Sequence, residues 1–170
     1  MLRLMVAGVA ALALAGVAGA RSTDTFQLQA ALSARAEVPK PTGVPSGAGG
    51  AFTGRATEQG SRPRLAWRLT FRKLSGRATA AHIHAGRTGK AGGVLVALCG
   101  PCRSGQRGTA AVTRAQLRTI RAGRAYVNVH TARNPAGEVR GQVKATSTSD
   151  GGGSDPPPTD PPPTDPPIYP

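Results

Sequence analysis

The only three histidines of the chain, His82, His84 and His130, fall in two short segments, Ala-His-Ile-His and Tyr-Val-Asn-Val-His. Neutral imidazoles are common ligands for copper and zinc, and three of them can hold an ion while leaving one coordination position open. Side chains alternate along a strand, so His82 and His84 share a face and Ile83 takes the other. The same parity sets Asn128 and His130 opposite Val127 and Val129. If the isoleucine and valines face the core, all three imidazoles turn to the outer wall, where Asn128 is a candidate partner for a second ring nitrogen. Such histidines could equally hydrogen-bond a covering loop and do nothing more. Nitrogens able to meet one ion at about 2 Å each would favour the metal.

Cys99-Gly100-Pro101-Cys102 is the second candidate. In a thiol oxidoreductase this tetrad opens a helix that lowers the first thiol's pKa. Here Arg103 to Gly108 follows, a poor helix start, and no βαβ pattern surrounds it. In an exported protein the two cysteines more plausibly form a local disulfide, which would mainly shape its turn.

Charge supplies the third. The chain carries a net +14, and between Ser22 and Ser149 there are 20 Lys and Arg against 4 Asp and Glu. So large an imbalance favours contact with polyanions. Arg64, Arg68 and Arg72 recur on one strand face, and Arg114, Arg118 and Arg121 recur at helical spacing. Either row could track a polyanion; a solvated face predicts the same spacing. No nucleic-acid motif is recognised, and an export signal removes the chain from intracellular nucleic acid. Anionic glycans or envelope polymers are the expected partners.

Strands must position these residues. Phe26, Leu28 and Ala30 alternate with Gln27, Gln29 and Ala31; Gly49 to Thr57 follows; and Leu65, Trp67, Leu69 and Phe71 alternate with the arginines of Arg64 to Arg72. Further strands are expected over Ala80 to Ala85, Val94 to Leu98, Ala125 to Thr131 and Glu138 to Ala145. Trp67 is expected in the core. Thr113 with Gln116 makes a capping-box pattern, Leu117 and Ile120 give the helix its apolar side, and Gly123 suits its C′ position. Asn134-Pro135-Ala136-Gly137 reads as a type I turn. The fold class is all-β, an antiparallel Greek-key-like sandwich or flattened barrel with one short helix.

The ends differ from the middle. Arg3, the apolar run Leu4 to Val17 and Ala18-Gly19-Ala20 make residues 1–20 a signal peptide, too short to span a membrane comfortably, with no cysteine after it for a lipid anchor. The folded domain is expected over 22–146. From Ser147 to Pro170 the chain turns Gly/Ser-rich and then Pro-rich, a disordered tail. The mature protein is expected to be secreted or extracytoplasmic, with no transmembrane segment.

Three stretches resemble the chordin-type (CHRD) domain: Leu32 to Pro39, Ala80 to Gly86, and Tyr126 to Gln142. The resemblance implies an extracellular β-sandwich module and no defined reaction. A more distant resemblance, carried by His-x-His, Val-x-Val-His and Asn-x-Ala-Gly, is to copper/zinc superoxide dismutase. It implies that His82, His84 and His130 match three of four copper ligands. The bridging histidine of that family is missing, and Arg140 is one residue too far along for its active-site arginine. The leading expectation is a secreted, non-catalytic binding or structural module with a basic surface. The alternative is an extracellular copper-binding protein.

Overall fold

Arg64–Arg72 alternates as a half-buried strand should, with Leu65, Trp67 and Leu69 buried and Arg64, Ala66 and Arg68 exposed. In the computed structural model, which describes residues 24–58 and 63–148, it is the third of nine strands. These are β1 (Asp24–Ser33), β2 (Gly49–Glu58), β3 (Arg64–Arg72), β4 (Ala78–Ala85), β5 (Val94–Cys99), β6 (Gln106–Ala111), β7 (Ala125–Thr131), β8 (Val139–Gln142) and β9 (Lys144–Thr148). A helix, α1 (Arg114–Arg121), separates β6 from β7. The leader assigned to residues 1–20 and the tail beyond Thr148 lie outside the described residues.

The strands join in the order β5-β4-β7-β8-β1-β2-β3-β6, every ladder antiparallel. The end strands β5 and β6 touch, so the sheet is a nearly closed barrel, as the alternation implied. The connection from β3 to β4 carries the chain from one end of this order to the other. Inside lie Phe26, Leu28, Phe52, Leu65, Trp67, Leu69, Ile83, Val127 and Val129.

Three expectations need correction. The last expected strand, Glu138 to Ala145, is two strands: β8 pairs with β7, and after Val143 the chain changes partner, so that β9 pairs with β1. Ser147 and Thr148, assigned to the tail, therefore belong to the barrel, opposite Phe26 and Thr25. Strand β6 was not expected, because Gln-Arg-Gly-Thr-Ala-Ala has no large apolar residue to mark a face. Its Gly108 lies on the Trp67 indole, where an added Cβ would come within 2.5 Å of the ring, so packing admits only glycine there.

The helix forms as its sequence predicts. Thr113 Oγ1 accepts from Gln116 N at 3.1 Å, Gln116 Oε1 accepts from Thr113 N at 2.7 Å, and Gly123 takes φ +65° just past the end. Leu117 and Ile120 are buried. Gln116 Nε2 also donates to Leu95 O, tying the helix to β5.

Candidate metal centre

Strand β7 is buried along its whole length, which simple alternation did not foresee. Val127 and Val129 face the core, while Tyr126, Asn128 and His130 face the outer wall, where loops cover them. Cross-strand pairing sets out that wall in rows: His82, Asn128 and Arg140 form one, and His84, Tyr126 and Gln142 the next. The imidazoles do turn away from the core, yet His84 and His130 keep only 9% and 8% of their surface exposed; His82 is half-buried.

The outer-wall side chains hold their own cover. Gln142 Nε2 donates to Gly86 O at 2.9 Å, and Arg140 Nη2 donates to Arg87 O at 3.0 Å and Lys90 O at 2.9 Å. Tyr126 Oη accepts from Gly92 N at 3.2 Å. The segment Gly86 to Gly93 is thereby drawn across the imidazoles. On the other side lies the turn Asn134-Pro135-Ala136-Gly137, closed by Gly137 N donating to Asn134 O at 3.1 Å.

These covers fix the tautomers. A carbonyl only accepts, so His84 Nδ1, 2.9 Å from Gly92 O, and His130 Nδ1, 2.9 Å from Pro135 O, both carry the hydrogen. In the neutral form of either ring the unprotonated nitrogen is then Nε2. His84 Nε2 is buried with no hydrogen-bond partner among the described residues. His130 Nε2 lies 3.1 Å from His82 Nδ1 and, with its own Nδ1 donating to Pro135 O, accepts a hydrogen bond from it. Two ligands of one ion at about 2.0–2.1 Å are that far apart when they subtend about 100°. One nitrogen from each ring lies within 4.8 Å of the others. Drawing them in by less than about 1 Å would bring all three onto one ion.

Backbone carbonyls, not Asn128, hold the second nitrogens of His84 and His130. Asn128 Nδ2 instead donates to Ala136 O at 3.4 Å. Burial lowers the pKa of His82, helped by the neighbouring His130 and His84 charges. Burial also lowers that of His130, against the Pro135 carbonyl and with the His84 charge. Both shifts favour the neutral, ligating form near pH 7.

The histidines rest on a stack. The Tyr126 ring lies 5.1 Å from that of His84 at 10°, and the Arg140 guanidinium carbon sits 3.3 Å from the Tyr126 centroid. Glu37, fully buried, accepts from Val38 N at 3.0 Å. Burial raises its pKa, against the Val38 N–H, Arg140 and Asn128. Glu37, Tyr126 and Arg140 were not expected to matter at this site. The available signal was parity: Arg140 and Gln142 alternate with Val139 and Gly141, which sets them on the histidines' face.

Gly92 offers a direct probe of the cover. An added Cβ there would lie 1.9 Å from Ala85 O. Gly92→Ala is expected to cost about 1–3 kcal/mol and to displace the carbonyl that orients His84. Chemical denaturation and an NMR tautomer assignment of His84 would check both; unchanged values would contradict this account of the loop.

The other candidates lie elsewhere. Cys99 and Cys102 are bonded to each other, and the chain continues into β6 rather than a helix. Arg64, Arg68 and Arg72 are exposed on β3. On α1, Arg114 and Arg121 reach Glu58 at 3.6 and 3.8 Å, and Arg121 also covers the Phe26 ring at 3.9 Å; Arg118 is exposed. The helical row is thus partly engaged within the domain.

An antiparallel, nearly closed barrel whose outer wall carries loop-covered imidazoles is the class of protein that fold and site define. The chain belongs to the CHRD domain family, whose model matches residues 28–143, more than half its length. No curated protein and no solved structure matches it. The likeness to copper/zinc superoxide dismutase rests on the sequence motifs alone.

Proposed function

We propose that this CHRD domain is an extracytoplasmic metal-binding module that holds a copper ion on His82, His84 and His130. The observation that carries the reading is the paired commitment of His84 Nδ1 and His130 Nδ1 to backbone carbonyls. Metal-ligating histidines characteristically donate their other ring N–H in this way, which fixes the ring and raises the basicity of the ligating nitrogen. A histidine serving only to anchor a loop has no need for its second nitrogen to be buried and unpartnered, as His84 Nε2 is. An all-imidazole donor set suits copper. The setting outside the cytoplasm rests on the leader read in residues 1–20.

Copper titration of the full chain and of His84→Ala tests the reading. Tight, one-to-one uptake by the wild type that is weakened about a hundredfold or more in the variant is the expected result. Equal, weak uptake by both would end it.

A second reading, attachment to anionic extracellular polymers, is favoured by one arrangement. Arg68 and Arg107 are directly opposite each other across β3 and β6, and Arg55 of β2 is diagonal to Arg68. The directly opposed like charges of Arg68 and Arg107 work against the fold. The three line one shallow groove with Gln27 and Thr53. Arg68→Glu would replace a repulsive pair with an attractive one. It is expected to stabilise the domain by about 0.2–1 kcal/mol while weakening retention on heparin. Wild-type retention should fall steeply with salt, because exposed charges are screened. Retention indifferent to salt and to the substitution would contradict the reading.

A further inference from the structure

We propose that the three-histidine site is built for monovalent copper, Cu(I), in preference to a divalent ion. The proposal deepens the metal-binding reading and rests on it.

The donor group holds three imidazoles and, among the described residues, no Asp, Glu or Cys. Neutral donors leave an ion its full charge. Two of the three rings are buried under the loops, and the work of moving an ion out of water grows with the square of its charge. A divalent ion therefore meets about four times the desolvation cost of a monovalent one. A carboxylate or thiolate ligand would offset part of that cost, and none belongs to this group among the described residues.

A buried full charge on the same wall, that of Arg140, has the wrong sign for a dication. Arg140 is 1% exposed, shares the cross-strand row of His82, and stacks on the ring that stacks on His84. Its Nη2 is occupied by two loop carbonyls, and its Nη1 has no partner among the described residues. The buried carboxyl of Glu37 is not part of the donor group and interacts instead with Arg140 and Asn128. The remaining described carboxylates lie elsewhere: Glu138 is engaged with Ser75, Thr131 and Asn134, Glu58 with the helix arginines, and Asp24 is exposed at the start of β1, opposite Glu58.

Coordination number points the same way. Cu(I) has a filled d shell and accepts two or three ligands, whereas Zn(II) wants four and Cu(II) a tetragonal set. The loops that cover His84 and His130 leave the half-exposed His82 side as the approach for any further ligand.

The test is competition on the full chain. Cu(I), held reduced with ascorbate under argon, is competed against a Cu(I)-selective chelator; Cu(II) and Zn(II) are competed against chelators of their own. Cu(I) is expected to bind about a hundredfold or more tighter than either divalent ion. Asn128→Asp, which adds a carboxylate beside His82, is expected to narrow that ratio by about tenfold or more. The preference should persist in the Cys99→Ser/Cys102→Ser double variant, since thiolates also favour Cu(I).

Divalent binding as tight as Cu(I), an unchanged ratio in Asn128→Asp, or loss of the preference in the cysteine variant would each overturn the inference while leaving the metal site standing. Should Asn128→Asp fail to fold, the wild-type ratio decides alone. Uptake no greater than that of His84→Ala in every valence would remove the metal site itself.

Discussion

His84→Ala is expected to lower copper affinity by about a hundredfold or more, because it removes a ligand outright where loss of a mere orienting partner costs about 10- to 100-fold. The effect is large because His84 does three things at once. Its Nε2 is a buried nitrogen without a partner among the described residues, its Nδ1 holds Gly92 O, and its ring lies on Tyr126. Alanine leaves two imidazoles and releases the segment that covers them. His82→Ala should lose comparable affinity with less effect on metal-free stability, since His82 is half-buried and holds no loop. Isothermal titration with copper gives the affinity, and thermal melts of the metal-free chains give the structural part. A melt shifted in His84→Ala with copper affinity unchanged would mean that the ring only anchors the loop.

Glu138→Ala is expected to destabilise the domain by about 3–5 kcal/mol, because it strands several buried donors at once. The carboxylate is fully buried. Its oxygens accept from Ser75 N and Ser75 Oγ at 2.5 Å each, from Thr131 Oγ1 at 2.5 Å, and from Asn134 Nδ2 at 3.0 Å. Asn134 in turn accepts from Thr42 N at 2.8 Å and begins the turn whose Pro135 carbonyl orients His130. The melting temperature should fall by about 10–20 °C. Glu138→Gln keeps the shape but turns an N–H group toward donors, so it should cost an intermediate amount.

The same carboxylate sets a pH dependence. Burial raises its pKa, but hydrogen bonds from Ser75, Thr131 and Asn134 outweigh burial and hold it below the ordinary value of 4.5. A depressed folded pKa means that the unfolded chain binds the proton first. The contribution of Glu138 is therefore complete above about pH 4.5 and is lost as pH falls through the folded value. His82 and His130, also depressed, add a separate decline that begins as pH falls through about 6.5. Subtracting the Glu138→Gln curve from the wild-type curve isolates the carboxylate. A wild-type and variant difference constant from pH 7 to pH 3 would contradict its ionised state in the fold.

Alternation made much of this legible. It set β3 and β7 at their ends, placed Trp67 in the core, and put all three imidazoles on one wall. The capping box at Thr113 needed only local chemistry, and local chemistry is what sequence carries best. What escaped were consequences of distant contacts. Residue Glu37 follows a short 3-10 turn far from β7 in sequence, and only folding brings it to Asn128 and Arg140. Strand β6 is defined by its partner β3 rather than by its own side chains. The burial of β7 on both faces depends on loops whose glycines, Arg87 and Lys90 look like solvent-exposed chain when read alone. Scarcity was an unused clue: Glu37 and Glu138 are two of only four acidic residues between Ser22 and Ser149. In so basic a domain both of these acids are fully buried.

X-ray absorption at the copper edge, on the full chain loaded with one equivalent, tests the shared ion most directly. Three imidazole nitrogens at about 2.0 Å, reduced to two in His84→Ala, are the predicted result. A copper shell with one imidazole or none, or one identical in the variant, would contradict a common site on His82, His84 and His130.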